Sequence, residues 1–283
     1  MSVRILVIDG NVAHIRARLI AALGYDTATG YAQILRRIDP TLRVDCLAGA
    51  DADAHLPSGV ALGQYDGVAM TGSALNVYDG GEPVTRQIEL AKAVFAAGVP
   101  FFGSCWGLQV AVTAAGGEVR RNPRGREFGF ARRILLTEAG RVHPLFADKP
   151  TVFEAPAVHL DEIHSLPAQA TVLADNEYGL QAASFNFAHG TFWGVQYHPE
   201  YDYIDVAAVA ERYGKRLVDD GVFRDDAALA GFAAELCELQ VNPSDAALLW
   251  KHGLGPALRS EPLRLLELRN WLANLPHIRF KPA

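Results

Sequence analysis

Paired cysteines, an excess of positive charge, long apolar runs and low-complexity tracts are all missing from this 283-residue sequence. Its cysteines, Cys46, Cys105 and Cys237, lie far apart, so neither a closed disulfide framework nor a CxxC redox or zinc pair is indicated. Isolated thiols point to a reduced, cytoplasmic setting. With 26 Lys and Arg against 32 Asp and Glu, the formal charge of -6 argues against a nucleic-acid partner held by charge alone. No stretch is long and apolar enough to cross a bilayer, so no membrane partner is expected. The opening MSVRILVIDG runs into a strand-like segment with no cleavage region behind it, unlike a signal peptide. Clustered metal ligands and a Gly-rich P-loop are absent too, so neither a metal nor a cofactor is expected. Without internal repeats, solenoid architectures are poor candidates.

What is present is an ordinary folded composition, 50% hydrophobic and 20% charged, long enough for one large α/β unit with an appendage. Arg4 to Asp9 is a β-branched apolar run ending in Asp-Gly-Asn, as expected of a buried parallel strand that delivers into a loop. Helical spacing follows from Val12 to Ile38, interrupted around Gly24 to Gly30. Short strands are expected near Arg43 to Leu47, Asp66 to Met70 and Val99 to Ser104, with helices from Pro83 to Ala97 and from Leu108 to Ala115. This alternation predicts an α/β fold of three layers, an open and mostly parallel sheet with flanking helices, whose functional loops gather beyond the C-terminal strand ends. After Ala131 the segments shorten into strands separated by turns such as Asn176 to Gly179. The last 80 or so residues read as helical, with Leu229, Phe232, Leu236 and Leu239 on one face. The expected division is an α/β domain over residues 1–205 and a helical extension over 206–283.

Phe101-Phe102-Gly103-Ser104-Cys105-Trp106-Gly107 places a cysteine between two flanking glycines, after a strand and before a helix. That is a nucleophile-elbow arrangement, in which a sharp turn exposes the thiol and small neighbours prevent clashes. The helix N-terminus would stabilise a thiolate, and the Trp106 N–H would face a developing oxyanion. A free cysteine is also commonly a small buried hydrophobe, and this segment alone leaves that alternative open for Cys105. Core packing is the expectation for Cys46 and Cys237.

A thiol nucleophile needs an imidazole to take its proton and a carboxylate to fix the ring's tautomer. Gly194-Val195-Gln196-Tyr197-His198-Pro199-Glu200 offers both, with Pro199 ending the strand so that His198 lies beyond it and Glu200 turns back. A plain surface histidine remains the alternative reading of this segment. His159 and Asp161, in a polar strand-to-loop stretch, are further candidates to touch a substrate or partner.

Together, GSCWGLQ and QYHPE resemble the two signature segments of class I glutamine amidotransferases, in the correct order and each after a strand. GREFGFARRILLT and HLDEIHSLPAQATVLADNE are similar to stretches of the GMP synthase glutaminase domain, so the resemblance covers roughly Val3 to Asp205. It implies a triad of Cys105, His198 and Glu200, and a substrate-binding role for Gln109. The family's second oxyanion donor comes from a Gly-rich loop after an earlier strand, which places Gly72 or Ser73 in that role here, although the Gly-Gly-Pro-Gly pattern is absent. Ser104 and Trp106 depart from the family pattern and are candidates to alter the pocket rim.

The implied reaction is hydrolysis of the side-chain amide of glutamine, or of a γ-glutamyl compound, through a cysteine thioester to glutamate and ammonia. Nothing after residue 205 resembles an ATP-binding synthetase. Two outcomes follow: a separate ammonia-accepting synthetase as partner, or a stand-alone hydrolase of γ-glutamyl amides or peptides. A catalytically silent scaffold that binds a ligand or protein is a third reading, disfavoured by the joint presence of Cys105, His198, Glu200 and Gln109.

Overall fold

The computed structural model describes residues 2–187 and 189–278; the end of the expected extension, 279–283, lies outside them. Its strands are β1 (Arg4–Asp9), β2 (Arg43–Ala48), β3 (Gly67–Met70), β4 (Phe101–Ser104), β5 (Glu118–Arg121), β6 (Glu127–Leu136), β7 (Val152–His159), β8 (Asp161–Ser165), β9 (Thr171–Asn176), β10 (Gly179–Phe187) and β11 (Gly190–Val195). The helices of the first half are α1 (Ala13–Leu23), α2 (Thr27–Ile38), α3 (Glu82–Ala96), α4 (Trp106–Ala114) and α5 (Glu138–Val142). Those of the C-terminal region are α6 (Tyr203–Tyr213), α7 (Lys215–Asp219), α8 (Asp226–Val241), α9 (Ala246–Lys251), α10 (Pro256–Arg259), α11 (Glu261–Arg264) and α12 (Leu266–Ile278).

A nine-stranded sheet in the order β2-β1-β3-β4-β11-β10-β9-β6-β7 organises the molecule. From β2 to β11 the neighbours are parallel. From β11 to β7 they are antiparallel, so the sheet is mixed rather than parallel throughout. The division follows connection length: α1 to α4 supply the long crossovers that parallel pairing requires, whereas the Asn176–Gly179 turn joins β9 to β10 directly. Every residue of β3 and β4 is buried, because helices cover both faces there. β5 and β8, which form a separate two-stranded ribbon, were not legible as strands because their Glu, Arg and His content mimics a loop.

Local chemistry sets the helix boundaries. Asp26 caps α2 by accepting from the Thr29 N–H at 2.8 Å, and Asp225 caps α8 by accepting from Ala228 N–H at 2.8 Å. Between α6 and α7, Gly214 adopts φ 48°, which separates the two helices. No described helix is long and apolar enough to cross a membrane.

The C-terminal region divides its packing. α6, α8 and α9 share a cluster with Phe130 of β6, through Val206, Leu236, Leu239 and Leu249. α12 instead enters the main core: Leu268, Trp271 and Leu275 pack with Ile5, Val7 and Phe102. Gly67 allows that approach, since a Cβ there would lie 2.9 Å from both Leu275 and Trp271. Burying each such side chain contributes roughly 2 kcal/mol. Cys46 and Cys237 are exposed, contrary to the expected core packing. Cys46 belongs to the edge strand β2, and Cys237 lies between the inward Leu236 and Leu239 on the outer face of α8.

One buried ion pair joins the two regions. Lys149 Nζ donates to Glu267 Oε2 at 2.9 Å, and Tyr197 OH donates to the other oxygen at 2.5 Å. Burial lowers the Lys149 ammonium from its ordinary value, and Glu267 opposes that shift. Lys149→Met should therefore destabilise the fold by about 3–5 kcal/mol, because it strands a buried carboxylate. Urea denaturation measures this, and a loss below about 1 kcal/mol would show that the pair does not tie the regions together.

Candidate active site

Cys105 occupies the junction of β4 and α4 with φ 51° and ψ -99°, in the left-handed region that a side-chain-bearing residue rarely adopts. Two glycines permit the turn. A Cβ on Gly103 would lie 2.4 Å from the Gly107 carbonyl carbon, and one on Gly107 would lie 2.4 Å from the Met70 oxygen. The Cys105 N–H donates to the Val195 oxygen at 2.8 Å, which fixes the turn to the neighbouring β11.

The thiol is 4% exposed. Gln196 Nε2 donates to Sγ at 3.5 Å, Gln109 Nε2 donates to Gln196 Oε1 at 3.4 Å, and Sγ itself points to the Val158 oxygen at 3.7 Å. Burial chiefly pushes the thiol up from its ordinary pKa, helped by the charges of Asp161 and Glu200; the Trp106 N–H and the Gln196 amide act in the opposite sense.

His198 follows β11 by a few residues and is held by its own N–H, which donates to the Pro156 oxygen at 2.8 Å. Its ring stacks on Tyr201, with centroids 4.0 Å apart and planes 4° from parallel. Nδ1 lies 2.7 Å from Glu200 Oε1, and since a carboxylate accepts, Nδ1 is the donor of that bond. Nε2 is buried and has no hydrogen-bond partner among the described residues. Cys105 and His198 therefore share no hydrogen bond in this structure, because Sγ is turned to Val158.

The two side chains face adjoining hollows. One is lined by Cys105, Gln109, Arg126 and Asp161, the other by His198, Gly72, Asn11 and Arg212, and Ser73, Val158 and Tyr213 line both. The 71–74 loop, which borders both, is held by the residues that follow β1: Gly10 N–H donates to Thr71 Oγ1 at 3.1 Å, and Asn11 Oδ1 accepts from the Ala74 N–H at 3.1 Å. Neither the Gly72 nor the Ser73 N–H is used in these bonds. Gly72 packs so closely on His198 that a Cβ would lie 2.5 Å from Cε1. Among the described residues no group of three or more His, Cys, Asp or Glu is arranged to hold a metal ion.

The description "Glutamine amidotransferase class-I" matches residues 44–204. A γ-glutamyl-L-1-hydroxyisopropylamide hydrolase from a Pseudomonas species is 35% identical over 277 residues, which covers 96% of this chain and 92% of that protein. The chain belongs to the class I glutamine amidotransferase family. A GMP synthase of Nitrosomonas eutropha is 32% identical over 161 residues, covering 55% of the chain but 29% of the synthase. A glutamine amidotransferase from Thermotoga maritima shares the fold, with a TM-score of 0.63, 20% identity, and coverage of 98% of this chain and 99% of the other. The family supports an enzyme that hydrolyses a glutamine-type amide.

Several side chains differ from the expectations drawn from sequence. Trp106 is fully buried and lines neither hollow; its Nε1 donates to Gln87 Oε1 at 2.8 Å. Ser104 lies 3.2 Å from the Tyr31 hydroxyl, so both departures from the family pattern are anchored in the core rather than at the rim. His159 is buried with Nε2 2.8 Å from Glu127 and Nδ1 2.9 Å from the Asp161 carbonyl, so both ring nitrogens are occupied by structural partners. Both His159 and Asp161 border the Cys105 hollow, and Asp161 Oδ1 accepts from Tyr78 OH at 2.7 Å.

Gln196 was missed, although its place in QYHPE beside His198 marked the segment. Arg264 was missed as well: its Nη1 donates to the Pro199 oxygen at 2.8 Å and the Tyr201 oxygen at 2.7 Å, which clasps the loop carrying Glu200. No sequence pattern links residue 264 to residue 199. Because burial raises the Cys105 thiol, its alkylation by a small electrophile should keep accelerating as pH rises past the ordinary cysteine value of about 8.5. Mass spectrometry of the Cys105 peptide follows this, and a rate already level below about pH 7 would mean a preformed thiolate.

Proposed function

We propose that the chain is a self-contained hydrolase of γ-glutamyl amides, with Cys105 as nucleophile, His198 as its base and Glu200 orienting the imidazole. The observation that carries this reading is the extent of the likeness to the Pseudomonas hydrolase, which runs through the C-terminal helical region. The synthases match over only part of the chain.

The proposed chemistry starts from a neutral thiol. Rotation of Sγ away from the Val158 oxygen brings it to the unpartnered Nε2 of His198, which takes the proton as sulfur attacks the δ-carbonyl. Catalytic hydrogen bonds of this kind often tighten only when substrate is bound. Negative charge developing on oxygen is received by the Trp106 N–H and by a 71–74 loop N–H. Ser73 fits that second role better than Gly72, because it borders the hollow that holds Cys105. His198 then protonates the departing amine. Water, activated by the same imidazole, hydrolyses the γ-glutamyl thioester and releases glutamate. Gln109, held through Gln196 beside Sγ, and Asp161 face the substrate.

Tyr213 and Arg216 from the C-terminal region line the hollow that holds Cys105. The second reading is glutamine hydrolysis for a separate ammonia-accepting synthetase, favoured by the synthase likeness. Purified chain with a γ-glutamyl alkylamide, assayed for glutamate, separates the two. The hydrolase reading expects turnover without any partner, higher kcat/KM than for glutamine, and a loss of roughly a thousandfold in Cys105→Ala. Undiminished release in that variant would sink the mechanism, and turnover that requires an added synthetase would favour the second reading.

A further inference from the structure

The hollow over the nucleophile contains an arginine whose hydrogen bonds are incomplete. Arg126 stands just before β6, its side chain 3% exposed. Its Nε donates to Asp220 Oδ2 at 2.8 Å, and its Cζ lies 4.9 Å from the centre of the Tyr213 ring. Nη2 is buried and has no hydrogen-bond partner among the described residues. Asp220 and Tyr213 both come from the C-terminal region, just after α7 and at the end of α6. One fixes the Nε edge of the guanidinium and the other covers a face, which leaves the Nη side for something else. Leaving a buried guanidinium nitrogen unpaired is unfavourable, so the arrangement fits an anion that enters and departs.

The same hollow fixes charge of both signs around Cys105. Arg126 and Arg216 supply the positive side, and Asp161 the negative. A γ-glutamyl group has a matching pair, a carboxylate and an ammonium on its α-carbon, several bonds from the amide that is cleaved. A planar guanidinium is suited to a carboxylate in a way that a lysine ammonium is not.

We infer that Arg126 binds the α-carboxylate of the γ-glutamyl substrate, and that Asp220 is a positioning residue that holds Arg126 for it. The inference rests on the γ-glutamyl amide reading and makes the C-terminal region a component of the substrate site. The γ-glutamyl group is thereby selected by its α-carboxylate, and the departing amine is left unspecified by this contact.

The test compares a γ-glutamyl alkylamide with the same compound in which the α-carboxylate is converted to a carboxamide. The ratio of the two kcat/KM values is measured within each variant, so it is independent of how much of a preparation is folded. Wild-type enzyme should prefer the carboxylate by on the order of 10- to 100-fold, the range that one charge-assisted hydrogen-bonded pair accounts for. Arg126→Gln should lose most of that preference. Asp220→Asn, a change at a partly exposed residue, should lose part of it, mainly through KM. An undiminished ratio in Arg126→Gln overturns the inference. So does a preference that Arg126 confers only on amides carrying a carboxylate in the amine portion, such as γ-glutamylglycine over a γ-glutamyl alkylamide. Turnover of both compounds at equal rates by the wild type overturns this inference alone. Turnover of neither overturns the γ-glutamyl reading and this inference with it.

Discussion

The close approach of α4 to β3 and β4 governs the rest of the site. Gly107 rests on the Met70 carbonyl and Gly103 on the Gly107 backbone, at separations that no side chain would tolerate. With the helix pressed that near, the chain between β4 and α4 has one residue in which to reverse direction. That residue is Cys105, held at φ 51°. Its position at a helix N-terminus, its burial and its distance from bulk water all follow from this packing constraint rather than from any property of the thiol. The unusual backbone conformation is sustained by its surroundings, since β3 and β4 are buried at every residue.

Around this turn, the C-terminal region acts as part of the site. Glu267 receives the Tyr197 hydroxyl, Arg264 holds the Pro199 and Tyr201 carbonyls, and Tyr213 lines the hollow that holds Cys105. His198 and Glu200 are therefore bracketed by contacts that originate more than sixty residues later in the chain. The sequence division at residue 205 follows the change in texture, yet α12 packs with β1 and β4 in one core. The helices that follow the α/β layers complete the core and line the pocket.

Much of this was legible from residues close together in the chain. The elbow is readable because both steric requirements, Gly103 and Gly107, lie within two residues of Cys105. The His198 and Glu200 pair is readable because a proline separates them. Parallel strands announced themselves as short apolar runs, whereas β5 and β8 did not, since a two-stranded ribbon packed on one side keeps polar residues. What escaped was long-range: Gln196 reaching Sγ, Arg264 reaching residue 199, and the Arg126 to Asp220 pair. Exposure of Cys46 and Cys237 also escaped, because a neighbouring apolar residue says nothing about which side of an edge strand or helix a thiol occupies. The missing hydrogen bond between Cys105 and His198 has the same character, since a rotamer is set by surroundings assembled from several strands.

The proposed function depends above all on amide cleavage through a covalent bond to Cys105. Rapid acid quenching of the enzyme during turnover of a γ-glutamyl amide, followed by mass spectrometry of its peptides, tests this directly. A γ-glutamyl thioester is expected on the peptide containing Cys105, formed only with substrate. Turnover with no adduct there, or with an adduct on the peptides of Cys46 or Cys237 instead, would contradict it.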